Sequence, residues 1–144
     1  MKENLIISAC LLGIPCRYDG KSVRKIDIAP LLEKYNLIPV CPEIYGGLST
    51  PRIPSERQGG EVTMQNGSDV TENFKRGARS ALEFARINNA KKALLKAKSP
   101  SCGKGEIYDG SFSGTLTEGN GVTAELFLKN GILVFSENEI DKLL

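Results

Sequence analysis

The chain contains no histidine. That removes the commonest general acid/base and a frequent metal ligand, so any chemistry must come from Cys, Asp, Glu, Ser, Lys, Arg or Tyr. An excess of one charge is missing too. Nineteen basic and 17 acidic residues are intermixed for a formal charge of +2, and no basic tail or stripe offers the footprint that duplex nucleic acid requires. No segment approaches the roughly 20 apolar residues that span a bilayer. The opening MKENLIISACLLG has a short apolar stretch that carries a serine and runs into a Gly/Pro turn, unlike a signal peptide with its small-residue cleavage site. The expectation is a cytoplasmic protein whose partners include neither duplex nucleic acid nor a membrane.

What is present fits one domain over residues 1–144, with 40% hydrophobic residues, enough to bury a core without disulfide or metal staples. The four cysteines of a chain kept in a reducing compartment point to metal binding or catalysis rather than to disulfides.

Four short apolar runs read as strands: residues 5–9, 37–40, 93–97 and 132–135. They are nearly continuous rather than alternating, as in strands covered on both faces. The clearest helix places Phe74, Ala78, Ala81, Leu82 and Ala85 on one stripe, with Asp69 and Glu72 available to cap its start. Residues 25–35 form a weaker helix candidate broken at Pro30. Residues 123–129 form a short helix that Gly131 can end in a left-handed conformation, and residues 138–144 a helical tail. Alternation of this kind predicts an α/β fold of three layers, a mainly parallel, Rossmann-like sheet with flanking helices. Two Gly/Pro/Ser/Thr-rich stretches, residues 42–68 and 99–120, resist the scheme and read as long functional loops.

Cys10, Cys41 and Cys102 each follow one of the first three strands. In an open parallel sheet they would meet at the carboxyl edge, where such folds bind ligands. Each lies among glycines and prolines, in SACLLG, CPEIYGG and SPSCGKG. Thiolates are the soft ligands that iron clusters prefer, and three of them would leave one iron of a cubane open as a Lewis acid. Zinc is an alternative, although the wide separation is unlike paired Cys-x-x-Cys knuckles. Cys16 could supply a fourth ligand, but reads more simply as a turn cysteine near the site.

Glu43, two residues after Cys41, is a candidate general acid/base. Ser99 and Ser101 flank Pro100 just ahead of Cys102, where a hydroxyl could meet substrate or simply cap the turn. Arg17, Asp19, Arg52 and Arg57 are candidate substrate-binding residues, the arginines being suited to planar oxygen acceptors. Glu118, Asn120 and Thr123 precede a helix N-terminus that could take an anion, although capping explains them as well.

The motifs SACLLG with RYDG, CPE, GGL, TPR, ERQGG, SPSCG, IYDGSFSGTL and GNGVTA together resemble the DUF523 family, whose characterised members are thiouracil desulfurases. The resemblance runs from about Ser8 to Glu137. It implies a four-iron four-sulfur (4Fe-4S) cluster on Cys10, Cys41 and Cys102, without Cys16, and non-redox removal of sulfur from a thiolated pyrimidine to give the oxo base and sulfide. It places proton transfer on Glu43 and substrate positioning on Ser99 or Ser101. Two alternatives stay open: a thiolated nucleoside or nucleotide as substrate, with Arg52 or Arg57 taking a phosphate, and a non-catalytic zinc or cluster domain.

Overall fold

The computed structural model describes residues 2–21 and 26–144. In chain order it has β1 (Glu3–Ser8), a 3₁₀ turn (Ala9–Leu12), α1 (Ala29–Lys34), β2 (Tyr35–Val40), α2 (Pro42–Tyr45), β3 (Ser55–Gln58), β4 (Glu61–Met64), α3 (Thr71–Ile87) and β5 (Lys92–Leu95). Then follow β6 (Glu106–Tyr108), β7 (Leu116–Glu118), α4 (Val122–Lys129), β8 (Leu133–Ser136) and a terminal 3₁₀ helix (Glu137–Leu143).

The four apolar runs form one wholly parallel sheet in the order β2-β1-β5-β8. Successive side chains of a strand point to opposite faces, so β1 serves two cores. Leu5 and Ile7 pack with Leu31, Leu94 and Leu143, under α1 and the terminal 3₁₀ helix. Ile6 packs with Ala81, Ala85, Ala93 and Phe127, under α3 and α4. Leu5, Ile6 and Ile7 are all 0% exposed, each contributing about 1.5–3 kcal/mol on burial. The arrangement is the expected three-layer α/β fold. Pro39 is tolerated because β2 is an edge strand, with one side free of a sheet partner among the described residues.

Strand order also sets where a ligand goes. The chain passes from β1 to β2 on one side, then returns to place β5 on the other side of β1. Such a reversal opens a crevice beyond the carboxyl ends of the strands.

Several local expectations change in detail. Pro30 stands in the first turn of α1, where its missing N–H costs nothing, so it opens the helix instead of breaking it; Lys25, at the start of that candidate, lies outside the described residues. Asp69 Oδ1 accepts from the Thr71 amide at 2.9 Å at the entry to α3, whereas Glu72 is turned toward Lys75, 3.8 Å away. Gly131 takes the expected left-handed conformation, φ 78°. The stretches 42–68 and 99–120 are not structureless. They hold α2 and two antiparallel hairpins, β3–β4 and β6–β7. The first turns on Gly59-Gly60, a hairpin signal hidden by strands, SERQ and EVTM, that carry no apolar run.

Candidate active site

A cavity of about 460 Å³ opens at the carboxyl ends of β1, β2 and β5, and all four cysteines line it. This is an ordinary size for a small-molecule site. Cys10 is carried there by the 3₁₀ turn after β1, which Gly13 ends at φ 86° while donating to the Cys10 carbonyl at 3.2 Å. Cys41 follows β2 and opens α2, its carbonyl accepting from the Tyr45 amide at 3.1 Å.

The Cys102 loop is the most heavily braced of the three. Ser99 Oγ accepts from the Ser101 and Cys102 amides at 3.1 and 3.0 Å. The Ser101 carbonyl accepts from the Thr123 and Ala124 amides, and that of Pro100 from Val122. The free N–H groups of α4 are thus spent on this loop. Asn120 is also engaged, its Oδ1 accepting from the Gly105 amide at 2.8 Å, so the region before α4 fixes Cys102 instead of offering free amides to an anion.

The surroundings of Cys16, Cys41 and Cys102 favour the protonated thiol. Burial pushes Cys102 up to about 12, with Glu43 and Cys41 nearby opposing its ionisation and hydrogen bonds to Ser8 and Ser101 pulling the other way. Cys41 is raised still further, first by its hydrogen bond with Cys16 and then by burial. Cys16 is raised chiefly through Cys10. A bound metal centre would reverse this, since coordination deprotonates a thiol.

Glu43 lies on α2 at the cavity wall. Burial raises its carboxyl above the ordinary value, against the pull of Arg52. Arg52 Nε donates to Glu43 Oε1 at 3.1 Å, Nη1 to the Ser49 carbonyl and Thr50 Oγ1, and Nη2 to the Cys16 carbonyl at 3.0 Å. One guanidinium therefore joins the Glu43 carboxylate to the Cys16 turn.

Of the residues singled out from sequence, Cys10, Cys41, Cys102, Glu43, Ser99, Arg17 and Arg52 come together on this cavity, and Ser101, Asp19 and Arg57 do not. Ser101 is buried behind the wall, its hydroxyl 2.8 Å from Thr123 Oγ1. Asp19 accepts from the Lys21 amide and stands 3.8 Å from Arg17. Arg57 braces β3 against α4, donating to Gly59, Asn120 and Glu125. Cys16, read as a bystander, lines the cavity with its thiol between those of Cys10 and Cys41. No periodicity signals this, because the Arg52 bond and the 13–16 turn place it. Sequence reading also missed Ser55, Glu56, Tyr108 and Phe112, cavity residues carried by the two hairpins.

The 2-thiouracil desulfurase family model matches residues 5–139. The chain belongs to this family. The uncharacterized protein YbbK of Bacillus subtilis (strain 168) is 41% identical over 150 residues, covering 97% of this chain and 99% of that one. Among solved structures, the [4Fe-4S]-dependent thiouracil desulfidase TudS superposes with a TM-score of 0.92 at 46% identity, covering 99% of this chain and 95% of that one. The chain is thus an enzyme of the desulfurase family, with that family's parallel α/β sheet.

The donor set suits the group named for TudS. It is all thiol, the ligand type that holds iron-sulfur clusters. Among the described residues no three His, Cys, Asp or Glu side chains are gathered tightly enough to grip one metal ion. A single tetrahedral zinc would need its sulfurs about 3.8 Å apart, given Zn–S bonds of about 2.3 Å, whereas thiols that each take a different iron of a cluster stand farther apart.

Proposed function

We propose that this protein removes sulfur from a thiolated pyrimidine such as 2-thiouracil, with a 4Fe-4S cluster held by Cys10, Cys41 and Cys102, in the cytoplasm. The observation that carries the reading is the convergence of three strand-ending cysteines with the Arg52-held Glu43 on one cavity. Written in full, the thiocarbonyl and one water give the carbonyl and hydrogen sulfide, so electrons balance without a redox partner. When bound, the cluster supplies a thiophilic, Lewis-acidic iron for the substrate sulfur.

The rest falls to the protein. Arg52 engages Oε1 of Glu43 and fixes that carboxyl at the wall, where it takes a proton from the attacking water and returns one to the departing sulfur. Ser99 supplies a hydroxyl at the wall, and its bonds to two amides of the SPSC loop hold that loop in shape. Ser101 acts from behind, through Thr123 and Cys102. Arg52 and Arg57, the candidate phosphate ligands, have their guanidinium groups committed to protein partners, which favours a free base over a nucleotide.

The test is anaerobic reconstitution with iron and sulfide, followed by assay of sulfide and oxo base from 2-thiouracil, its nucleoside and its monophosphate. Equal release of sulfide and uracil from the base supports the reading. Turnover of the monophosphate alone moves it to the nucleotide, and no release from any of the three overturns it.

A further inference from the structure

Among the described residues, Ser55 Oγ is the single buried side-chain oxygen or nitrogen that has no hydrogen-bond partner, and Ser55 lines the active-site cavity. A buried hydroxyl left unpaired is costly and rare in native proteins, and one carried by a residue that lines a ligand cavity points to a partner that arrives with the ligand. Four other side-chain oxygen atoms of the wall are already engaged. Ser8 Oγ accepts from the Lys96 amide, Ser99 Oγ from two amides, Glu43 Oε1 from Arg52 and Glu56 Oε1 from the Gly110 and Phe112 amides.

The Ser55 position is rigidly built. Ser55 is the first residue of β3, paired with Met64 of β4, and it follows Pro54, whose ring fixes its own φ. Next to it, Glu56 ties β3 to the 110–112 turn at 3.0 and 3.1 Å, and that turn holds Phe112 in a left-handed conformation, φ 56°. Such a conformation persists in a bulky residue only where surrounding bonds impose it. The hairpins thus supply a preformed second wall, separate in sequence from the cysteine loops, with a buried, unpaired hydroxyl.

We propose that Ser55 is a specificity residue: its O–H donates to the ring carbonyl of the pyrimidine that does not carry the sulfur. This rests on the desulfurase reading for the orientation of the ring. The sulfur-bearing carbon faces the thiols and Glu43, which leaves the remaining carbonyl as the acceptor for a donor elsewhere on the wall. A site built to hydrogen-bond a polar group discriminates against the analogue lacking it, because its own donor is then left unpaired.

The test is calorimetric titration of the anaerobically reconstituted protein, wild type and Ser55→Ala, with uracil and with pyrimidin-2-one, which lacks the second carbonyl. Ser55→Ala should weaken uracil about tenfold and change pyrimidin-2-one less than about twofold. Its melting temperature should match or exceed that of the wild type, since the change removes an unpaired buried group. Uracil affinity that does not move, or an equal loss for both ligands, overturns the assignment. Sulfide release from 2-thiouracil by the wild type is read separately, and its failure alongside intact, Ser55-dependent uracil binding counts against the desulfurase reading alone.

Discussion

Glu43 and Arg52 form a 3.1 Å ion pair whose arginine side chain is only 4% exposed. Removing one partner of a buried pair leaves the other uncompensated, at a cost of about 3–5 kcal/mol. Arg52→Ala should therefore lower unfolding free energy by roughly 3 kcal/mol. Arg52→Lys keeps the charge but loses the fork that reaches Ser49, Thr50 and Cys16. It should recover much of that stability while kcat stays down about 100-fold, the scale expected of a misplaced catalytic group. Denaturant unfolding beside steady-state kinetics separates the two effects. Equal recovery of stability and kcat in the lysine variant would remove the positioning role.

Gly77 of α3 lies directly against the Pro42 carbonyl of α2, and a Cβ there would overlap that oxygen. Helix propensity alone predicts that Gly77→Ala stabilises by about 1 kcal/mol. The backbone contact predicts the opposite sign, a loss of about 1–3 kcal/mol from overpacking. Because α2 carries Glu43, activity should fall as well. Unfolding curves decide between them, and a stabilised variant would show that α2 yields freely.

Glu139 closes a capping box with Ser136 at the terminal 3₁₀ helix and holds Lys104 at 3.2 Å, two residues beyond Cys102. Partial burial raises its carboxyl, but the Ser136 amide, Lys142 and Lys104 together outweigh that and hold it at about 2. A folded value below the ordinary one means the contribution is complete above about pH 4.5 and is lost as pH falls toward 2. Glu139→Gln should cost about 1 kcal/mol at neutral pH, and the gap from wild type should close between those pH values. Urea midpoints measured across that range check it, and a gap that persists at pH 2 would remove Glu139 as the source.

The sheet was legible because continuous apolar runs such as Leu5–Ile7 have no use except between two covered faces. Cys10, Cys41 and Cys102 were legible for the same reason, since each follows such a run. What escaped depends on contacts distant in sequence. The strand Ser55–Gln58 is polar throughout, so only its Gly-Gly turn marks it. Ser99 and Ser101, two residues apart in sequence, separate into a cavity residue and a buried one through the bonds of a single turn. Arg52 and Arg57 read alike in sequence, yet one holds the active-site carboxylate and the other braces a helix.

The ligand set is tested most directly by counting iron in anaerobically reconstituted wild type and in the four single Cys→Ala variants. Four irons per chain are expected in the wild type and in Cys16→Ala, with loss of iron and of sulfide release in Cys10→Ala, Cys41→Ala and Cys102→Ala. Full iron in Cys102→Ala, or its loss in Cys16→Ala, would contradict a cluster held by the three cysteines that follow β1, β2 and β5.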